Sequence, residues 1–277
     1  MNAVVPLFLL APLVLVPLGY RLIELATPGA RPPDLAIRLL VPAASLLVVA
    51  FWLPAGPVAA LLAAPWLAAT GLTALVAGVR WSRDPTRFQP DVRHATDTAV
   101  AFLAVGAAVA FTERLGAQPF GFSTTIILLT AVHFHFAGFV LPLAGALAYR
   151  RRLARWLELA IGAVVVGIPV TALGFFGLPL ANWVGAVLTA AGGFGIGIAT
   201  LVIALTLVGR GATTFAVIAG ASLLISMPMA VIYATGTLTG AAWLGMDVMA
   251  RIHGGLNAVG FALPAMLAWT LDRLDRT

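Results

Sequence analysis

Residues 154–176 read ARWLELAIGAVVVGIPVTALGFF, and from Leu159 to Gly209 not one side chain is charged. A bilayer core about 30 Å thick is crossed by about 20 helical residues. Lipid offers no partner to a peptide N–H or C=O, so such a run must satisfy its backbone within a helix. Outward from this stretch the chain repeats the pattern. Apolar runs of spanning length lie at about 3–23, 36–53, 56–79, 94–114, 122–149, 154–176, 180–208, 212–235 and 246–271. The fold class predicted is all-α, a polytopic membrane helical bundle of about nine transmembrane helices, with 1–277 as one integral-membrane domain. The alternating pattern of an outer-membrane barrel is absent.

Composition agrees with this reading. Apolar residues make up 61% and charged residues 9% of the chain, and mean hydropathy is +1.05. Cysteine is absent, which excludes thiolate nucleophiles, iron–sulfur clusters, Cys-ligated zinc and disulfides. All 16 basic residues are arginine and the net charge is +6. They lie in the short connections, where topology accounts for them, so nucleic acid is not an expected partner. The opening MNAVVPLFLLAPLVLVPLGY has no charged start and no clear cleavage site, so it reads as a first span.

Arginine placement also predicts orientation. With the N-terminus outside and the C-terminus cytoplasmic, Arg21, Arg31, Arg38, Arg80, Arg83, Arg87, Arg93, Arg150, Arg151, Arg152, Arg155, Arg210, Arg273 and Arg276 share the inner face. Only Arg114 and Arg251 fall on the outer one. The location expected is the cell membrane, multi-pass.

Charge inside a bilayer costs roughly 2.5–3.5 kcal/mol per group by insertion scales, so ionisable residues in spans mark candidate sites. The fourth span ends at Glu113 and Arg114. The fifth carries Thr130, His133, His135 and Phe136, the eighth Tyr233, and the ninth Asp247, Arg251, His253 and Asn257. On the predicted topology these reach the outer half of the membrane. Asp247 with Arg251 and His253 with Asn257 are i,i+4 pairs on one helix face, a rim salt bridge above an imidazole oriented by an amide. His133 and His135 project about 200° apart, so they do not readily chelate one ion. A second polar group, Asp91, Arg93, His94 and Asp97, opens the fourth span and reads as a charged helix start.

Acid–base catalysis suits this set. His133, His135, His253, Glu113 and Arg251 are the expected catalytic groups. Asp247, Asn257, Tyr233, Thr130, Arg114, Phe136 and Trp243 are the expected substrate-binding residues. The function expected is an intramembrane isomerase, cyclase or hydrolase acting on a lipophilic, isoprenoid-like substrate, with membrane lipids as partners. Two alternatives stand beside it. One is a redox protein holding haem or a divalent metal on His133, His135 or His253. The other is a proton-coupled transporter. No cofactor is favoured, and oligomeric state is not legible.

Two segments carry a family resemblance. Leu129-Thr130-Ala131-Val132-His133-Phe134-His135-Phe136-Ala137-Gly138-Phe139 and Arg251-Ile252-His253-Gly254-Gly255-Leu256-Asn257-Ala258-Val259-Gly260-Phe261 resemble the signatures of YndJ-like bacterial and archaeal membrane proteins. The resemblance implies a multi-span membrane protein and draws attention to these two motifs; it implies no reaction. The His-x-His spacing also has a local likeness to the haem-ligand helix of haem–copper oxidases. Those enzymes need more histidines than the four in this chain.

Overall fold

The computed structural model describes residues 4–84, 93–241 and 243–275. Among them the regular structure is helical, with no strand, and nine helices are long and apolar enough to cross a membrane. They are α1 (Val4–Ala26), α2 (Asp34–Trp52), α3 (Pro57–Arg83), α4 (His94–Leu115), α5 (Thr124–Arg151), α6 (Arg155–Phe176), α7 (Pro179–Ala204), α8 (Arg210–Thr239) and α9 (Met246–Leu274). Each matches a run predicted from the sequence. This is a multi-pass membrane protein.

Contacts divide the chain into two compact units: Met1–Gln89 with Thr96–Val140, and Pro90–Ala95 with Leu141–Thr277. In the first, α2 packs along α3, and α1 meets both α2 and the first half of α5. The turn from α2 to α3 is closed by Gly56, whose φ of 156° is a conformation glycine tolerates. Pro57 then starts α3 at a position where a missing N–H costs nothing. Ser123 caps α5 by accepting from the Ile126 N–H.

In the second unit α6, α7 and α8 pack in sequence, and α9 lies along α8. Between lipid-like side chains there is little hydrophobic drive, so close approach of backbones supplies the contact. The glycines of α7 serve this purpose. A Cβ on Gly192 would stand 2.7 Å from Cγ2 of Val164 in α6, and one on Gly197 would stand 3.0 Å from Cβ of Leu223 in α8. At its polar end this unit is tied by Arg151, which donates to both oxygens of Asp272 at 2.9 Å. The same carboxylate accepts the Val208 N–H at 2.7 Å.

Both resemblance motifs lie on wide π-type turns, Phe134–Val140 in α5 and Met249–His253 with Leu256–Ala262 in α9. Such turns interrupt the regular ladder and are frequent at functional positions.

Candidate functional site

The expected site residues fall in both units. Glu113, Arg114, Thr130, His133, His135 and Phe136 belong to the first. Tyr233, Trp243, Asp247, Arg251, His253 and Asn257 belong to the second.

In the first unit, His135 is 0% exposed and every polar atom of its ring is engaged. Trp66 of α3, also 0% exposed, donates its indole N–H to Nε2 at 3.2 Å. Indole nitrogen can only donate, so Nε2 carries the lone pair and Nδ1 the hydrogen. Nδ1–H is then the donor to the Ala131 carbonyl, 2.8 Å away in the preceding turn. Phe8 packs edge-on to the imidazole, its centroid 5.0 Å away. A Cβ on Gly106 would stand 2.7 Å from Nδ1 and 2.9 Å from Cβ of Phe134. In this arrangement His135 has no lone pair for a metal and no proton to offer a substrate.

Two residues earlier, His133 lies on the exposed side of α5, as a two-residue offset requires, with its ring edge-on to Phe134. Phe136 is buried. Thr130 is half-buried and returns its hydroxyl to the Ile126 carbonyl at 2.8 Å.

Glu113 and Arg114 are both buried and bonded to one another through two guanidinium nitrogens. The third, Nη1, donates to the carbonyls of Ala50 and Leu53 at 3.2 Å each, and the guanidinium lies 4.3 Å over the Phe51 ring. The Arg114 carbonyl accepts the Gly56 N–H at 2.8 Å. Arg114 therefore supplies a donor to the Leu53 carbonyl at the C-terminal end of α2 and a second one to that of Ala50, which also accepts the Leu53 N–H at 3.3 Å. The pair closes the α2–α3 turn, and its polar atoms are occupied in doing so.

Geometry in the second unit is different. His253 is half-buried, and its Nδ1–H donates to the Ser226 carbonyl of α8 at 2.9 Å. Nε2 is then the nitrogen with the lone pair. Asn257 does share the face, but its amide does not reach the imidazole as the spacing suggested. Its Nδ2–H donates to the His253 backbone carbonyl at 2.7 Å, and its Oδ1 accepts the Ser226 hydroxyl at 3.3 Å. A carbonyl across the helix interface orients the ring instead.

Asp247 and Arg251 form the predicted i,i+4 ion pair, both largely exposed. Tyr233 is half-buried and Trp243 lies exposed. Beside His253, a Cβ on Gly255 would meet nothing within 4 Å, and one on Gly254 only the Met249 carbonyl at 3.9 Å. The helix is open there. A few residues on, Gly260 is held by packing, since its Cβ would stand 3.0 Å from Cβ of Ser222.

Sequence reasoning missed Trp66, Gly106 and Ser226. Trp66 reads as one more bulky residue of an apolar span, and the Ser226 contact is through its backbone. Of the second polar group, Asp91 lies outside the described residues. Asp97 is buried and paired with Arg80 of α3. Among the described residues no three histidine or carboxylate groups gather as a metal site would require.

A family model described as YndJ-like protein matches residues 6–261. The chain is also 27% identical over 197 residues, 67% of its length, to a Bacillus subtilis (strain 168) protein described as "Uncharacterized membrane protein YndJ". It spans 35% of that relative's length. No solved structure matches. The family match runs from the first span into the last and takes in both histidine motifs, so this chain belongs to the YndJ-like family of membrane proteins.

Proposed function

We propose that this protein carries an intramembrane acid–base site centred on His253, acting on a lipophilic substrate that reaches it from the bilayer. Nε2 of His253 takes or returns the proton. Arg251, held by Asp247, binds an oxygen or anionic group of the substrate. Ser226 and Asn257 position the ring and its helix. An isomerase, cyclase or hydrolase reaction is the class this set can serve. On the arginine distribution the site opens in the outer half of the membrane.

One observation carries the reading. His253 spends Nδ1–H on the Ser226 carbonyl at 2.9 Å, which leaves the lone pair on Nε2 in a half-buried ring. A carbonyl that fixes the tautomer is how proteins prepare an imidazole to accept a proton. The open face at Gly254 and Gly255 gives a ligand room beside the ring. Glycine costs about 1 kcal/mol relative to alanine inside a helix, and here no neighbouring atom demands it. Ile252 and Val259, 51% and 52% exposed, flank the site with apolar surface suited to a lipid-borne substrate.

The test is native purification of the parent and of His253→Ala, with mass spectrometry of apolar molecules that co-purify. The expected result is one compound enriched on the parent and lost from the variant, at unchanged thermal stability. Equal recovery from both proteins would overturn the assignment. A Soret band or one equivalent of metal lost with His253 would move the reading to the cofactor-binding alternative.

A further inference from the structure

The connection between α5 and α6 holds a dense run of positive charge that the His253 site does not use. Arg150, Arg152 and Arg155 are exposed there, and none has a carboxylate partner among the described residues. Two neighbouring groups are already committed. Arg151 is bonded to Asp272, and Glu158 accepts the Tyr149 hydroxyl. The local excess of charge is therefore not cancelled from within.

Directly beside these arginines the second unit has a shallow surface depression with about 10 Å³ of open space. The exposed Arg152, Trp156 and Val202 form its rim, and Leu157, Ala199 and Ile203 close its floor, buried. Trp156 is at its lip, held near α7 where Gly195 has no side chain: a Cβ there would stand 3.9 Å from Cζ3 of the indole. The start of α6 at Arg155 adds a helix field of the same sign.

We infer that this surface binds one anionic phospholipid, its phosphate against Arg152 and Arg155 and an acyl chain along the exposed faces of Trp156 and Val202. Uncancelled charge and the exposed apolar surface beside it point to the same occupant. Clustered arginines beside the end of a membrane helix attract acidic lipids. Tryptophan at such a boundary places its ring against the chain and its N–H toward the headgroup. A free phosphate would use the arginines and gain nothing from the exposed Trp156 and Val202. A zwitterionic lipid would cover Trp156 and Val202 and gain little from the charge. The inference does not depend on the reading of His253.

The experiment uses the full chain in detergent, with thermal unfolding followed against added phosphatidylglycerol, phosphatidylcholine of the same acyl chains, or inorganic phosphate. Phosphatidylglycerol should raise the midpoint in a saturable way while the other two do not. Arg152→Gln with Arg155→Gln should weaken its apparent affinity by roughly tenfold. Arg31→Gln, at an exposed ion pair elsewhere, should leave the affinity unchanged. Equal shifts with both lipids, a shift reproduced by phosphate, or undiminished affinity in the double variant would each overturn the proposal. If the double variant does not fold, Trp156→Ala takes its place, with the same loss expected and retained affinity again counting against it.

Discussion

Trp66 donates its indole N–H to Nε2 of His135 at 3.2 Å while the two rings lie within 17° of parallel. The contact joins α3 to α5 at positions 69 residues apart in the chain. It turns the most buried histidine of the resemblance motif into a packing element. Phe8 extends the same column from α1, meeting His135 at 5.0 Å and Phe51 at 5.1 Å, and Phe51 in turn lies under Arg114. The first unit is thus held by a chain of aromatic and polar contacts running from Trp66 to the α2–α3 turn.

Trp66→Phe keeps a ring in place but removes the donor, leaving the Nε2 lone pair unpaired in the interior. Interhelical hydrogen bonds in membranes are worth about 0.6–2 kcal/mol, so a loss of that order is expected. His135→Phe should cost a similar amount. Because each single change strands one partner, the double variant should lose less than the sum. A double-mutant cycle of unfolding free energies in detergent measures this. Additive losses would mean the contact is not made.

Gly106→Ala places a methyl group 2.7 Å from Nδ1 of His135 and 2.9 Å from Cβ of Phe134. Neither neighbour has space to retreat, so a loss of about 1–3 kcal/mol is expected from overpacking. Gly71→Ala in α3 meets nothing within 4 Å and provides the control, with stability unchanged or raised. Thermal midpoints of the two variants decide the matter. Equal behaviour would count against the packing of α4 on the His135 ring.

These two residues also show where sequence reading stops. The nine spans were legible because lipid forces long apolar runs into helices, and even boundaries such as 36–53 against Asp34–Trp52 agree closely. His135 stood out because an ionisable group in hydrocarbon is conspicuous. Its environment did not. Trp66 looks like any other apolar residue of α3, and Gly106 like any small residue of a membrane helix. The partners of Arg114 were more hidden still, since the carbonyls of Ala50 and Leu53 have no signature in side-chain types. Long-range pairing to backbone is invisible to periodicity. Short-range pairing was easier: the i,i+4 rule gave Asp247 with Arg251, but it mistook the carbonyl acceptor of Asn257 for the imidazole beside it.

Glu113→Gln should destabilise the first unit more than Glu113→Gln with Arg114→Gln. The single change leaves a guanidinium buried without its counter-charge, at a cost of about 3–5 kcal/mol for a broken buried pair. The double change removes that charge and forfeits the carbonyl contacts at Ala50 and Leu53, which are worth less. Unfolding midpoints for the two proteins are the measurement. A double variant weaker than the single would mean that turn closure, rather than charge neutralisation, dominates at this position.

The two arginines that depart from the predicted charge bias share one property: each is paired to a carboxylate of its own helix, Arg114 to Glu113 and Arg251 to Asp247. The other fourteen arginines carry the bias, and it predicts an external N-terminus. The absence of cysteine makes this directly measurable, because a single introduced thiol is unique in the chain. Gln118→Cys, exposed between α4 and α5, should react with a membrane-impermeant maleimide on intact cells. Leu153→Cys, 72% exposed between α5 and α6, should react only after permeabilisation. The reverse pattern would invert the topology and put the His253 site on the cytoplasmic half. Labelling of both thiols on intact cells would show that the two connections do not lie on opposite faces, and the arginine count would lose its authority.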